Sequence, residues 1–147
     1  MPPNSRLWRP FCLAVLVATL LGSIVQTQFN LAALQQLGAS ISPGVRIQAT
    51  LHDLFGFSPT FAALVIAAFI VALPLAAWLA SVLGTLRWLV FLLAGALAVW
   101  LALSVANAIA PMPTLIGANR TLAGTLALMV CGSLGSLAFA RFSGAGR

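Results

Sequence analysis

Acid is almost missing from this chain. Its 147 residues include one acidic side chain, Asp53, and one histidine, His52, and lysine does not occur at all. One acid excludes the paired carboxylates of general acid and base work. One histidine and two cysteines, scattered along the chain, supply no metal site of three or four ligands at workable spacing. Cys12 sits near the start of one apolar run and Cys131 at mid-depth of another. Such different depths argue against a disulfide, and both read as small buried hydrophobes.

Charge of either sign is scarce. Only 5% of residues are charged and 62% are hydrophobic, with a mean hydropathy of +1.12. An ordinary water-soluble domain carries about 25% charged residues, so the expected solvent is lipid. The net charge of +6 comes from Arg6, Arg9, Arg46, Arg87, Arg120, Arg141 and Arg147. They stand singly between apolar runs instead of forming a patch that tracks phosphates, which excludes a nucleic-acid binder. They read as topology signals and lipid headgroup contacts.

The fold class is therefore all-α, a polytopic integral membrane protein of one domain. Four transmembrane helices are expected at about residues 8–28, 60–83, 88–110 and 122–140, with an amphipathic outer segment at 29–57 between the first and second. The first apolar core, residues 11–25, holds nothing more polar than Thr19 and Ser23. A cleaved signal peptide is the competing reading, but Leu20 and Gly22 before Ser23 meet a small-x-small cleavage site poorly. Pro74 inside the second run predicts a kink and frees the Ile70 carbonyl. Residues 84–87 allow only a tight turn, and Pro111, Met112 and Pro113 end the third run.

Residues 26–60 hold every glutamine, together with His52 and Asp53. Asn30 is a candidate cap for a short helix over 31–37 that stops at Gly38. Ser42 and Pro43 predict the opening of a second helix that stops at Gly56, and Ser58 with Pro59 repeats the signal before the next run. At about 100° per residue, Ile47, Leu51, Leu54 and Phe55 share one face of the second helix, and Arg46, Ala49, Thr50 and Asp53 another. That pattern predicts a helix lying on the bilayer. Arg46, His52 and Asp53 form the candidate outer polar site. Arg46 and Asp53 are spaced for a weak surface pair, and neighbouring His52 and Asp53 diverge too far for a preformed dyad. A serine in the spans, such as Ser133, meets His52 only if the outer segment folds down to it.

Small residues give the clearest pattern. Gly95, Ala98, Ala102 and Ala106 fall within about 60° of one another on the third span, as do Gly124, Ala127, Cys131, Gly135 and Ala138 on the fourth. Such stripes let backbones approach closely in lipid, either inside this chain or against a partner. Four spans place both termini on one side. Arg6, Arg9, Arg87, Arg141 and Arg147 share that side against Arg46 and Arg120, so the termini are expected in the cytoplasm of a bacterial cell, with the chain in its inner membrane.

Function is expected to be non-catalytic, without cofactor or metal. The expected partners are the bilayer and either another membrane subunit, for which the chain is an accessory or scaffold, or a second copy. Passage of a neutral or anionic solute, with Asn107, Pro74 and the outer arginines near its path, is the alternative from another class. A membrane enzyme using His52 or Asp53 ranks last.

Overall fold

The structure, a computed structural model, describes residues 5–110 and 116–144, with side chains from residue 7 onward. The expected roles of Pro111, Met112 and Pro113 as terminators, and of the Arg6 and Arg147 side chains, lie outside the described residues. Among those residues the chain is helical, without a strand. Five α-helices follow one another: α1 (Ser5–Gln36), α2 (Pro43–Gly56), α3 (Ser58–Leu83), α4 (Arg87–Ile109) and α5 (Leu122–Ser143). Short 3₁₀ turns lie at Gly84–Leu86 and Gly117–Arg120. Three stretches are long and apolar enough to cross a membrane: Leu7–Gln36, Ser58–Ile109 and Leu122–Ser143. The middle stretch is 52 residues long and holds both α3 and α4.

The first correction concerns Asn30. No helix begins there, because α1 runs unbroken through it to Gln36 and is 32 residues long. Glutamine, leucine and alanine propagate a helix well, and an uninterrupted turn avoids a new nucleation cost. The stop comes at Gly38, whose φ of 91° is open to glycine and strained for other residues. Around it the Gly38 and Ala39 amides donate back to the Gln35 and Leu34 carbonyls at 3.0 and 3.1 Å, satisfying the end of α1.

α2 opens where the sequence places it. Ser42 caps it by accepting from the Val45 amide at 3.3 Å, with Pro43 in the first turn. Ser58 does not repeat that role. Phe57 is the N-cap of α3 and makes no side-chain cap bond, while Ser58 is already helical and buried. The single residue between α2 and α3 leaves no extended position for a serine cap.

α5 packs against α1 on one side and α4 on the other, and α3 packs against α4 and, more sparsely, α1. The core between them is built from Ala14, Ala18, Phe61, Phe69, Leu73, Phe91, Val99, Leu103 and Leu128. Phe91 and Phe139 meet at 6.0 Å between ring centroids. Outward, large apolar side chains stay bare: Ile70, Val71, Leu75, Val82, Leu101, Val105 and Leu122 are all more than half exposed. A surface of this kind is stable in contact with hydrocarbon and a liability in water.

Candidate functional site

Polar side chains converge at one end of the molecule, where the last turns of α1 meet α2 and the Gly117–Arg120 turn. Arg46 donates from Nη1 to Gln28 Oε1 at 2.6 Å and from Nη2 to Gln35 Oε1 at 3.1 Å. Gln28 passes its own Nε2 proton to Thr50 Oγ1 at 3.1 Å, and Thr50 donates to the Arg46 carbonyl at 2.8 Å, closing the ring of bonds. One turn further along α2, Asp53 Oδ2 accepts from the Thr27 hydroxyl at 2.8 Å. That hydroxyl also faces the Ser23 carbonyl at 3.0 Å, so one proton is shared between two acceptors.

These contacts run Asp53 to Thr27 and Arg46 to Gln35, so α2 packs antiparallel along α1. The polar face is turned inward onto α1, and Val45, Ile47, Leu51 and Phe55 point away from the protein, with Phe55 83% exposed. Amides on α1 outcompete water for the guanidinium because they are already held in place by the helix, and a charged donor makes the stronger bond. The Arg46 and Asp53 pairing weighed from the sequence is not formed, since each reaches a neutral partner on α1. His52 is exposed on α2 and takes no part. Ser133 donates to the Leu92 carbonyl at 2.9 Å, locking α5 to α4.

The other side of the same α1 segment holds the turn before α5. Buried Gln26 accepts from the Ala118 amide through Oε1 at 2.7 Å, and Gly117 lies so close to Asn30 that a Cβ there would come within 3.2 Å of its Cγ. Gln26→Leu leaves that amide buried without an acceptor, which costs about 1 to 3 kcal/mol. The expected result is a lower melting temperature in detergent than for the wild type; unchanged melting would refute the role.

At the opposite end Arg87 donates to the Ala140 carbonyl at the close of α5, and its guanidinium stacks over Trp88 and Phe91 at 5.2 and 5.7 Å from the ring centroids. Trp8, Trp78, Arg9 and Arg141 are exposed.

The small-residue stripes divide among three surfaces. Gly95 faces α5, where a Cβ would lie 2.7 Å from the Ser136 Cβ, and a Cβ at Gly132 would lie 2.5 Å from the Gly95 carbonyl. Gly135 faces α1, with the Ala14 carbonyl 2.6 Å and Ala18 Cβ 2.8 Å from a Cβ built there. Gly124 and Cys131 are buried and Ala127 and Ala138 half-buried. Ala98, Ala102 and Ala106 do not share the surface of Gly95. They line an open groove of about 870 Å³ between α3 and α4, together with Ala68, Ala72 and Ala76, and every residue along it is aliphatic. Gly132 and Ser136 belong to no stripe drawn from the sequence, although the GSLGS repeat at 132–136 already offers glycine at three-residue spacing.

A second groove, of about 820 Å³, separates the first half of α1 from α3, with Phe69 and Phe139 inside it and Leu54 and Phe55 of α2 at one end. Four buried hydroxyls, on Thr19, Ser23, Ser58 and Ser136, find no hydrogen-bond partner among the described residues. Among the described residues no three of His, Cys, Asp and Glu converge to hold a metal ion. No family model, curated protein or solved structure matches this chain.

Proposed function

We propose that this chain is a four-span protein of a bacterial inner membrane, with both termini cytoplasmic, and that it serves without catalysis as an accessory or scaffolding subunit. Support for the spans comes from the division of the 52-residue stretch into α3 and α4, which reverse at Gly84 and pack on each other. At 1.5 Å per residue they are about 35 to 39 Å long, enough for a hydrocarbon core of about 30 Å. Arg9, Arg87 and Arg141 with Trp8, Trp78 and Trp88 then lie at the cytoplasmic headgroup level.

The observation that carries the subunit reading is the groove between α3 and α4. It follows α3 from Leu64 to Leu83 and α4 from Leu89 to Ile109, about 28 to 30 Å at helical rise, the full hydrocarbon depth. Alanines line it and leucines rim it, the profile that lets a further helix approach closely where lipid supplies no hydrophobic drive of its own. The occupant in this reading is a transmembrane helix of a partner subunit.

Extraction in mild detergent followed by native mass spectrometry tests it. The wild-type chain is expected to carry a second polypeptide in fixed ratio, and Ala102→Phe with Ala106→Phe, both only half-buried along the groove, to lose it while still eluting as a folded species. A lone wild-type chain across progressively gentler extractions would sink the reading, and a homo-oligomer abolished by the same pair would assign the groove to a second copy.

A further inference from the structure

We propose that the end of the bundle carrying Arg9, Arg87 and Arg141 binds the phosphate of an anionic phospholipid headgroup; the inference rests on the membrane reading above. Three helices bring a guanidinium to one level. Arg87 on α4 donates to the Ala140 carbonyl near the close of α5, and Arg141 follows directly on that residue. α1 runs antiparallel to α5, since Gln26 meets Ala118 and the Ala14 carbonyl meets Gly135. Arg9 and Arg141 therefore stand about 7.5 and 9 Å beyond the contact of Ala14 with Gly135 at helical rise. Both are exposed.

The acid of the chain is at the far end. Asp53 is the only acidic side chain, and its bond to Thr27 places it about 27 Å from Arg9 along α1. That is well beyond the roughly 8 to 10 Å over which salt leaves a surface charge felt. Arg9 and Arg141 therefore have no acidic side chain within reach. Arg87 adds a third positive charge beside Arg141, and like charges gathered at one level favour an anion that meets them together. Phosphate suits them, because guanidinium groups match its oxygens in geometry as well as in charge.

The neighbours of these arginines favour a lipid over an acidic protein. Trp8 precedes Arg9, Trp88 lies under the Arg87 guanidinium at 5.2 Å, and both rings are exposed. Trp8 and Trp78 lie about 21 and 26 Å along their helices from the contact of Gly22 with Phe61, so an aromatic belt surrounds the charges, as at a headgroup boundary. Directly below it Leu75, Leu79 and Val82 are exposed. An acidic protein bound to the arginines leaves those side chains uncovered, whereas a phospholipid covers them with the acyl chains of the molecule whose phosphate is held.

Native mass spectrometry of the whole chain in neutral detergent tests this, with phosphatidylglycerol or phosphatidylcholine of matched acyl chains titrated in. One arginine near an anionic headgroup is worth about fivefold in binding, so phosphatidylglycerol is expected to be retained at a concentration at least about fivefold lower than phosphatidylcholine. Arg9→Gln with Arg141→Gln should remove most of that preference while elution and melting stay at wild-type values, since both side chains are exposed. A preference untouched by the pair would overturn the assignment, as would equal retention of both lipids by the wild type, and either result leaves the membrane reading intact. Tighter retention of soluble polyglutamate than of phosphatidylglycerol would hand the charged end to an acidic protein instead. A wild-type chain that retains neither lipid and stays monodisperse once detergent is withdrawn would remove the membrane reading itself.

Discussion

Gly132→Leu is expected to abolish the folded protein in detergent, and Gly132→Ala to lower its melting temperature measurably. The reason is backbone contact across α4 and α5. A Cβ at Gly132 stands 2.5 Å from the Gly95 carbonyl, and one at Gly95 stands 2.7 Å from both the Gly132 carbonyl carbon and the Ser136 Cβ. Flexible side-chain ends give way cheaply, but here backbone atoms of a packed helix are in the way. Overpacking costs about 1 to 3 kcal/mol where neighbours relax, and this site belongs at the upper end of that range for alanine and beyond it for leucine. Gly135→Leu meets the Ala14 carbonyl on α1 and is expected to behave alike. Gly44→Ala is the control. Its Cβ finds only Ser42 Oγ at 3.9 Å, so stability should stay within about 0.5 kcal/mol. Thermal unfolding followed by fluorescence-detected size exclusion checks all four variants, and a Gly132→Leu chain that elutes and melts like the wild type would refute the close crossing.

The second large effect is expected at Arg46. Arg46→Met takes the donor from Gln28 and Gln35 together, and hydrogen bonds to a charged group contribute about 1.5 to 3 kcal/mol each, less here because the side chain is partly exposed. α2 buries no residue fully, so little apolar packing remains to hold it. Amide protection across α2 should fall at least about tenfold, the equivalent of about 1.4 kcal/mol, while α4 and α5 keep theirs. Arg46→Lys is not expected to restore it, since one ammonium does not reproduce the fork that reaches two amides seven residues apart. Asp53→Asn should be nearly silent by contrast, because the amide oxygen still accepts from Thr27. Hydrogen exchange by mass spectrometry reads each segment separately, and α2 protection unchanged by Arg46→Met would show that the helix is held by something else.

Both effects show how differently the two kinds of contact were written in the sequence. Small residues at helical spacing mark which helices approach closely, yet a stripe gives an angle and not a neighbour. Gly95 and Ala98 lie on one stripe and go to different surfaces, because α4 has α5 on one flank and α3 on the other. Gly132 escaped the stripe for the same reason, since α5 presents Gly135 to α1 and Gly132 to α4. One helix between two partners needs two narrow faces, and periodicity alone reports a single average.

The polar end was harder still to read. Amphipathicity tells which side of α2 is polar and is silent on what meets that side. Water is the usual answer for a surface helix, but α1 carries Thr27, Gln28 and Gln35 toward it and satisfies the same groups. The signal was present in the sequence as Thr19, Ser23 and Thr27, three hydroxyls four residues apart that mark one inward face of α1. Asn30 misled in the opposite direction, as a residue that caps helices well and here sits inside one.

By itself the sequence determined the helical content, the stretches long and apolar enough to cross a membrane, and the breaks at Gly38, Ser42 and Gly84, because lack of charge, long apolar runs and cap and glycine signals act locally, through solvation and backbone freedom. Tertiary structure alone decided which neighbour each face meets. That choice set the polar face of α2 against α1, brought Gly95 against Gly132, and left open grooves between α3 and α4 and between α1 and α3. Those outcomes depend on contacts between residues far apart in the chain, where packing and hydrogen-bond satisfaction compete with solvent and no local pattern carries the result.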